Sequence, residues 1–153
     1  MSAEPADHAW VAETMRATVP WVSTSKLEFQ EVSADRAVVA LPDTPPTHNH
    51  VGGPHAAMIF GLGETASGAV TLAAYADTLA GAVPLVIRAE IGYRKLARGQ
   101  LTAEARMRRP VAEVLAELEA GQRPEFAVDV DVRNAEGVTT AEMTVVWTLR
   151  PNR

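Results

Sequence analysis

Hydrophobic positions recur along this chain with two periods, and the change between them marks the elements. Near the start, Ala9, Ala12, Met15 and Val19 fall at helical spacing, which predicts a helix over 4–19 ending at Pro20. Residues 23–30 and 36–41 predict two strands joined by a turn at 33–35. The stretch 41–54, LPDTPPTHNHVGGP, holds four prolines and two glycines and is expected as an irregular loop. Loops of that length in a compact domain are usually functional or mobile. Residues 55–77 are rich in alanine and apolar on nearly every side, which predicts one long buried helix. Gly61, Gly63 and Gly68 lie inside it, each costing about 1 kcal/mol against alanine, so something should pack closely there.

Beyond residue 80 the period becomes two. Leu85, Ile87, Ala89, Ile91 and Tyr93 share one face of 84–95, and Leu101, Ala103, Ala105 and Met107 share one face of 100–108. Phe126, Val128, Val130 and Val132 do so in 125–133, and Ala141, Met143, Val145, Trp147 and Leu149 in 138–149. Such alternation marks antiparallel strands with one covered face. Residues 134–137 suit a hairpin turn. Residues 110–122 place Val111, Val114, Leu115 and Leu118 at helical spacing, a short amphipathic helix that either borders a pocket or covers a sheet edge. The sum is an α+β fold: an antiparallel sheet whose apolar face only the 55–77 helix is apolar enough to cover.

The 153 residues are expected to form one domain, 1–153. A composition of 47% hydrophobic and 22% charged residues excludes wholesale disorder. With 19 acidic against 14 basic residues and a net charge of -5, a general nucleic-acid binder is not expected. The absence of cysteine excludes disulfides, zinc–thiolate sites, iron–sulfur clusters and cysteine nucleophiles. Acidic residues early in the chain argue against a secretory signal, and the polar and glycine interruptions of 56–76 argue against a bilayer span. A soluble, cytoplasmic protein with no membrane partner is expected.

The candidate chemistry lies in 48–64, which holds His48, Asn49, His50, His55 and Glu64. Pro54 suits the first position of a helix, which would leave the backbone N–H groups of His55, Ala56 and Ala57 free to hold an anion or a polarised carbonyl oxygen. Glu64 lies ~13 Å further along the axis at ~1.5 Å per residue. That is too far to serve the same carbonyl in one subunit, so a second subunit would have to supply one of the two groups. Glu64 itself has two readings. It sits at an exposed seam or pairs with Arg88 or Arg94, or it is a carboxylate held for chemistry among Phe60, Leu62, Ala66 and Val70, where an unpaired charge is costly. The histidines and Glu64 are metal-ligand types, but they read better as polar residues at a pocket mouth, and no metal is expected. Arg94, Lys95 and Arg98, with Arg106, Arg108 and Arg109, are either solvated strand ends or a hold on phosphates.

On these residues the segment resembles the acyl-CoA thioesterases of the hot-dog fold, of the phenylacetate-pathway and hydroxybenzoyl-CoA type. In that family an Asn or Gln is followed six residues on by a His, and nine residues later by an Asp or Glu; Asn49, His55 and Glu64 stand at that spacing. The resemblance implies a hot-dog core over about 22–149, an antiparallel sheet wrapped around one long central helix, here with an N-terminal helix and a short helical insertion. It implies hydrolysis of an acyl thioester, with Glu64 as general base or nucleophile and the Ala56 N–H polarising the carbonyl. Asn49 would orient water or the carboxylate, and His55 would support the oxyanion region. Ala57, Thr65, Ser67, Arg94, Lys95 and Arg98 would lie on the substrate side. It further implies a homodimer or dimer of dimers and no cofactor, coenzyme A being part of the substrate. Departures are Ala56 and Ala57 in place of two family glycines, Lys95 in place of a proline, and Gly68 where a Ser or Thr is common. Two alternatives stand beside it: a non-catalytic acyl-thioester-binding dimer, and a hot-dog hydratase, against which the lack of a histidine in 65–69 counts.

Overall fold

The computed structural model describes residues 8–153. Helix α1 (Ala9–Thr18) and the short α2 (Pro20–Thr24) precede strands β1 (Glu28–Val32) and β2 (Arg36–Leu41). The central helix α3 (Ala56–Ala74) leads to β3 (Ala82–Tyr93) and β4 (Leu101–Met107), then α4 (Val111–Glu119), β5 (Glu125–Arg133) and β6 (Thr139–Pro151). The strands form one six-stranded sheet in the order β1-β2-β4-β5-β6-β3, every neighbouring pair antiparallel. This is the α+β hot-dog architecture, with the sheet curled round α3.

The inward face carries the alternating residues of β4, β5 and β6 that the sequence pattern picks out. Leu101, Ala103, Phe126, Val128, Ala141, Val145 and Leu149 are buried there against Leu62, Ala66, Ala69 and Val70 of α3. The small residues in β4 and α3 let backbone approach backbone. A Cβ added at Gly63 would lie 2.7 Å from the Met143 sulfur, so any side chain there would have to push the thioether aside. By length and composition α3 could cross a membrane; here it is the core helix of the fold, packed chiefly on β2, β4 and β5 and meeting β3 only at its margin.

Expected helix positions 4–7 lie outside the described residues. Three local differences from the sequence pattern have physical causes. Pro20 does not simply end α1; it opens α2 from the first turn, where its missing N–H costs nothing. The strand expected from residue 23 therefore starts at Glu28, after Lys26 turns the chain at φ 55. In β3, Val86 pairs with Trp147 and Arg88 with Val146, leaving Ile87 as the extra residue of a bulge. Val86 thus joins Ala89, Ile91 and Tyr93 on the inward side, while Leu85 falls on the other; the alternation through 84–95 is broken at that point.

The 110–122 segment is helical over α4, with Val114 fully buried and Val111, Leu115 and Leu118 packed against the same core. Arg109 ties it down through Glu117 at 2.7 Å. A cavity of about 400 Å³ separates Leu115 and Leu118 from Asp77, Thr78, Ala82 and Pro151. Helix α4 therefore caps the sheet beyond the C-terminal end of α3, at the opposite end from Ala56.

Candidate functional site

The loop entering α3 is ordered by its own backbone. Asn49 N–H donates to the Gly53 carbonyl at 2.7 Å, and its Oδ1 accepts from the N–H groups of Val51 at 3.0 Å and Gly53 at 3.2 Å. The His55 N–H donates to the Thr47 carbonyl at 2.8 Å. His48 lies 2.6 Å from Asp43. Among the described residues, no group of three His, Asp or Glu could hold a metal ion.

Helix α3 begins at Ala56, two residues later than a start at Pro54. His55 is its N-cap, and His55 Nδ1 accepts from the Ala57 N–H at 2.9 Å. The His55 carbonyl accepts from the N–H groups of Met58 and Ile59 at 2.9 and 3.0 Å. Of the three N–H groups expected to be free, those of His55 and Ala57 are thus engaged. Only the Ala56 N–H is without a partner among the described hydrogen bonds. It is the remaining orphan donor of the first turn, at the positive end of the helix dipole. The next peptide is held from both sides, its N–H by His55 and its carbonyl by the Tyr93 hydroxyl at 2.9 Å.

A cavity of about 350 Å³ opens at this point, lined by Asn49, Ala56, Ile59, Tyr93, Arg94 and Lys95 among others. Four of the residues singled out in the sequence (Asn49, Ala56, Arg94 and Lys95) are therefore brought together. Arg94 is exposed, 3.6 Å from Glu142. Ala57 is exposed on the first turn, and Arg98 does not line the cavity.

Glu64 stands apart from that cavity, about 12 Å beyond Ala56 along the axis at ~1.5 Å per residue. It is half-buried and no described residue pairs with its carboxylate. The two arginines that would have explained it structurally are committed elsewhere, Arg88 to Glu125 at 3.8 Å and Arg94 to Glu142. Burial alone pushes its carboxyl above the usual glutamate range. Thr65 and Ser67, expected on the substrate side, are both buried in this chain. The Ser67 hydroxyl donates to the Glu64 carbonyl at 2.6 Å and accepts from Trp147 Nε1 at 3.0 Å. It belongs to the contact between helix and sheet because its side of α3 is the one that meets β6.

Two side chains near these groups were not singled out by sequence reasoning. Tyr93 was read as the end of an apolar face and as the aromatic that opens a Tyr93-to-Gly99 segment resembling the family's exit from the third strand, without a site role, yet its hydroxyl reaches the helix start. Trp21 lies on α3 at Gly61; a tryptophan directly after Pro20 is the one sequence feature that could have drawn attention to it.

A family model described as a domain of unknown function, DUF4442, matches residues 8–149, and the chain belongs to that family. No curated protein matches it. Among solved structures it is similar to a Pseudomonas aeruginosa protein of unknown function described as a probable thioesterase, with a TM-score of 0.84 and 20% identity over 97% of this chain and 98% of that one. It is also similar to a thioesterase family protein from Silicibacter pomeroyi, with a TM-score of 0.77 and 14% identity over 95% of this chain and 100% of that one. A third is the Escherichia coli PaaI protein from the phenylacetic acid degradation operon, with a TM-score of 0.71 and 18% identity over 92% of each chain. At these identities the likeness is one of fold: the hot-dog fold that solved thioesterases adopt.

Proposed function

We propose that this protein is a thioesterase that hydrolyses an acyl-CoA or a related acyl thioester. The observation that carries the reading is the pair of unspent groups on α3, a free N–H at Ala56 and an unpaired, half-buried carboxylate at Glu64. Thioester hydrolysis needs those two things. A donor must sit where the carbonyl oxygen gains negative charge, and a base or nucleophile must deliver oxygen to the carbonyl carbon. Glu64 either takes a proton from a water that attacks the carbonyl carbon, or attacks that carbon itself to form an anhydride that a water then hydrolyses. In both routes the C–S bond breaks, the thiolate of coenzyme A leaves and takes up a proton, and one water is consumed as the free acid is released and the Glu64 carboxylate regenerated. Asn49 orients water or the carboxylate from the cavity wall, and His55 keeps the Ala56 N–H free by capping Ala57 itself. Arg94, Lys95 and Arg98 hold the coenzyme A phosphates. No cofactor is needed.

The ~12 Å between the two groups requires that they meet across a homodimer, in which the loop and Ala56 of one subunit face Glu64 of the other. Strand β3 is a free edge of the sheet, and Val83, Val86, Ile87 and Tyr93 are exposed along it. Long apolar edges of this kind pair with another strand unless blunted, and a two-fold axis through β3 would extend the sheet into a second copy. Pairs of dimers are a further step of the same assembly, and the expected compartment is the cytoplasm.

The test is release of free thiol from a panel of acetyl-, hexanoyl-, palmitoyl- and benzoyl-CoA by the purified protein and by Glu64→Gln. Turnover by the parent on at least one, abolished in the variant, is the expected result. Tight binding of acyl-CoA with no thiol release from any would replace this reading with a non-catalytic acyl-thioester-binding dimer.

A further inference from the structure

Residues of α1 and α2 lie across α3 on the side facing away from the crossing at Gly63. Their anchors are buried: Val11 and Met15 in α1, Val22 in α2, and Leu27 just beyond. Two glycines of α3, seven residues apart and so on one face, receive them. A Cβ added at Gly68 would lie 3.3 Å from Met15 Cε, and one at Gly61 would lie 2.3 Å from Trp21 Cη2. The six-membered ring of Trp21 therefore rests directly on the helix backbone at Gly61. Gly61 and Glu64 are neighbours one turn apart, with side-chain origins ~5–6 Å from each other. Phe60 is the neighbour of Glu64 on the preceding turn. Trp21, Phe60 and Glu64 are all half-buried, so an unpaired carboxylate shares this stretch of α3 with two aromatic residues that keep part of their surface open.

Neither ring gives a carboxylate a partner, and apolar surroundings make its ionisation costlier. What the arrangement suits is an apolar group lying beside a carboxylate. Building on the thioesterase reading, we propose that Trp21 is the wall that bounds the acyl group next to Glu64 and sets the longest chain the site accepts. Gly61 carries no side chain to refill the space, so removing the indole opens a slot between α2 and α3 running away from the carboxylate. Buried anchors on both sides of Trp21 fix α2, which makes the wall rigid and the limit sharp.

The experiment compares kcat/KM on acetyl-, hexanoyl-, dodecanoyl- and palmitoyl-CoA for the parent, Trp21→Phe and Trp21→Ala, each checked by circular dichroism for an unchanged fold. The expected result is a rise of about tenfold or more in the dodecanoyl-to-acetyl ratio for Trp21→Ala, the scale by which a few methylenes are discriminated in an apolar pocket. Trp21→Phe, which keeps a ring of smaller reach, should fall between. If the parent turns over acyl-CoAs and both variants keep its ranking, the wall is overturned while the thioesterase reading stands. If the parent releases thiol from none of these four, the wall is overturned; if it releases none from benzoyl-CoA either, the thioesterase reading falls with it.

Discussion

Glu64 and Glu104 are carboxylates removed from water on opposite sides of the same sheet, and the protein treats them in opposite ways. Glu104 projects from the outer face of β4, its side chain only 9% exposed. Arg36, Arg106 and Arg133 surround it from β2, β4 and β5. Burial pushes its carboxyl up, but the guanidinium groups, Arg36 above all, outweigh that and hold it below the usual range. Glu64, on the helix, has burial without a partner, and its carboxyl is raised. Structural carboxylates are matched because leaving a buried charge unpaired costs several kcal/mol. A carboxylate left unmatched in a fold that matches the other is what the proposed role of Glu64 as base or nucleophile calls for.

The sharpest way to break that contrast is Glu64→Gln. Turnover on the best acyl-CoA should fall by about 10²–10⁴, the usual range for a lost acid–base group. Stability should move the other way, because the folded carboxyl titrates above its unfolded value. The contribution of that group is full below the ordinary carboxylate range and is lost as pH rises through the folded pKa. Chemical denaturation from pH 4 to 8 should therefore show the variant gaining on the parent as pH rises, with the two alike at the acid end. The parent's rate should climb with pH on a limb displaced above the ordinary glutamate range, since the base acts ionised. A variant that is less stable than the parent at pH 8 would place Glu64 in an ion pair after all.

Next in size is the mixing of two inactive proteins, Asn49→Ala and Glu64→Gln. If each site takes its loop from one subunit and its carboxylate from the other, a mixed dimer holds one intact and one doubly altered site. Verified heterodimers should then turn over at about half the parent rate per dimer, as the two-fold geometry dictates. Heterodimers with no activity would put both groups of each site in one chain.

Much of this architecture could be read from the chain because burial imposes a period. The inward residues of β4, β5 and β6 alternate without interruption, and α3 is apolar almost throughout. Glu64 was legible for the same reason, as a charge where the pattern calls for none. What escaped depends on single atoms or on register. The bulge at Ile87 changes which β3 residues face inward, and no propensity announces it. The candidate donor narrowed from three N–H groups to Ala56 because the His55 N–H is held by the Thr47 carbonyl and His55 turns its ring back to cap Ala57, a rotamer that composition does not specify. Ser67 was expected on the substrate side from the family resemblance. At three residues on, its side chain is turned 60° round the helix, enough to carry it from the open side to the sheet.

Within α3 itself, Ser67→Ala tests that division between a reactive flank and a packed one. The substitution removes the acceptor of the Trp147 indole N–H and leaves that donor without its protein partner in a buried setting. The expected cost is about 1–3 kcal/mol, read as a lower denaturation midpoint with an unchanged slope. The kcat of the folded variant should stay near the parent's. A fall in kcat beyond threefold with stability unchanged would return Ser67 to the substrate side.

The smallest expected effect belongs to Glu104. Glu104→Gln keeps the shape and an acceptor for Arg36 but removes the charge from the centre of the arginines. Because Arg36 and Arg106 are 37% and 61% exposed, solvent screens much of the attraction, and the loss at neutral pH should be at most about 1 kcal/mol. Its pH dependence should be the mirror image of that at Glu64. The folded carboxyl of Glu104 titrates below its unfolded value, so its stabilisation is present above the ordinary carboxylate range and lost as pH falls through the folded pKa. The parent's advantage over Glu104→Gln should therefore shrink towards acid, where the gap between Glu64→Gln and the parent also closes, but from the opposite sign. Added salt should weaken the Glu104 effect and leave the Glu64 effect nearly unchanged, because salt screens exposed guanidinium charges and does little to a cost set by burial. An equal salt response at both positions would mean that Glu64, too, is governed by a charged partner, and the contrast between the two carboxylates would be lost.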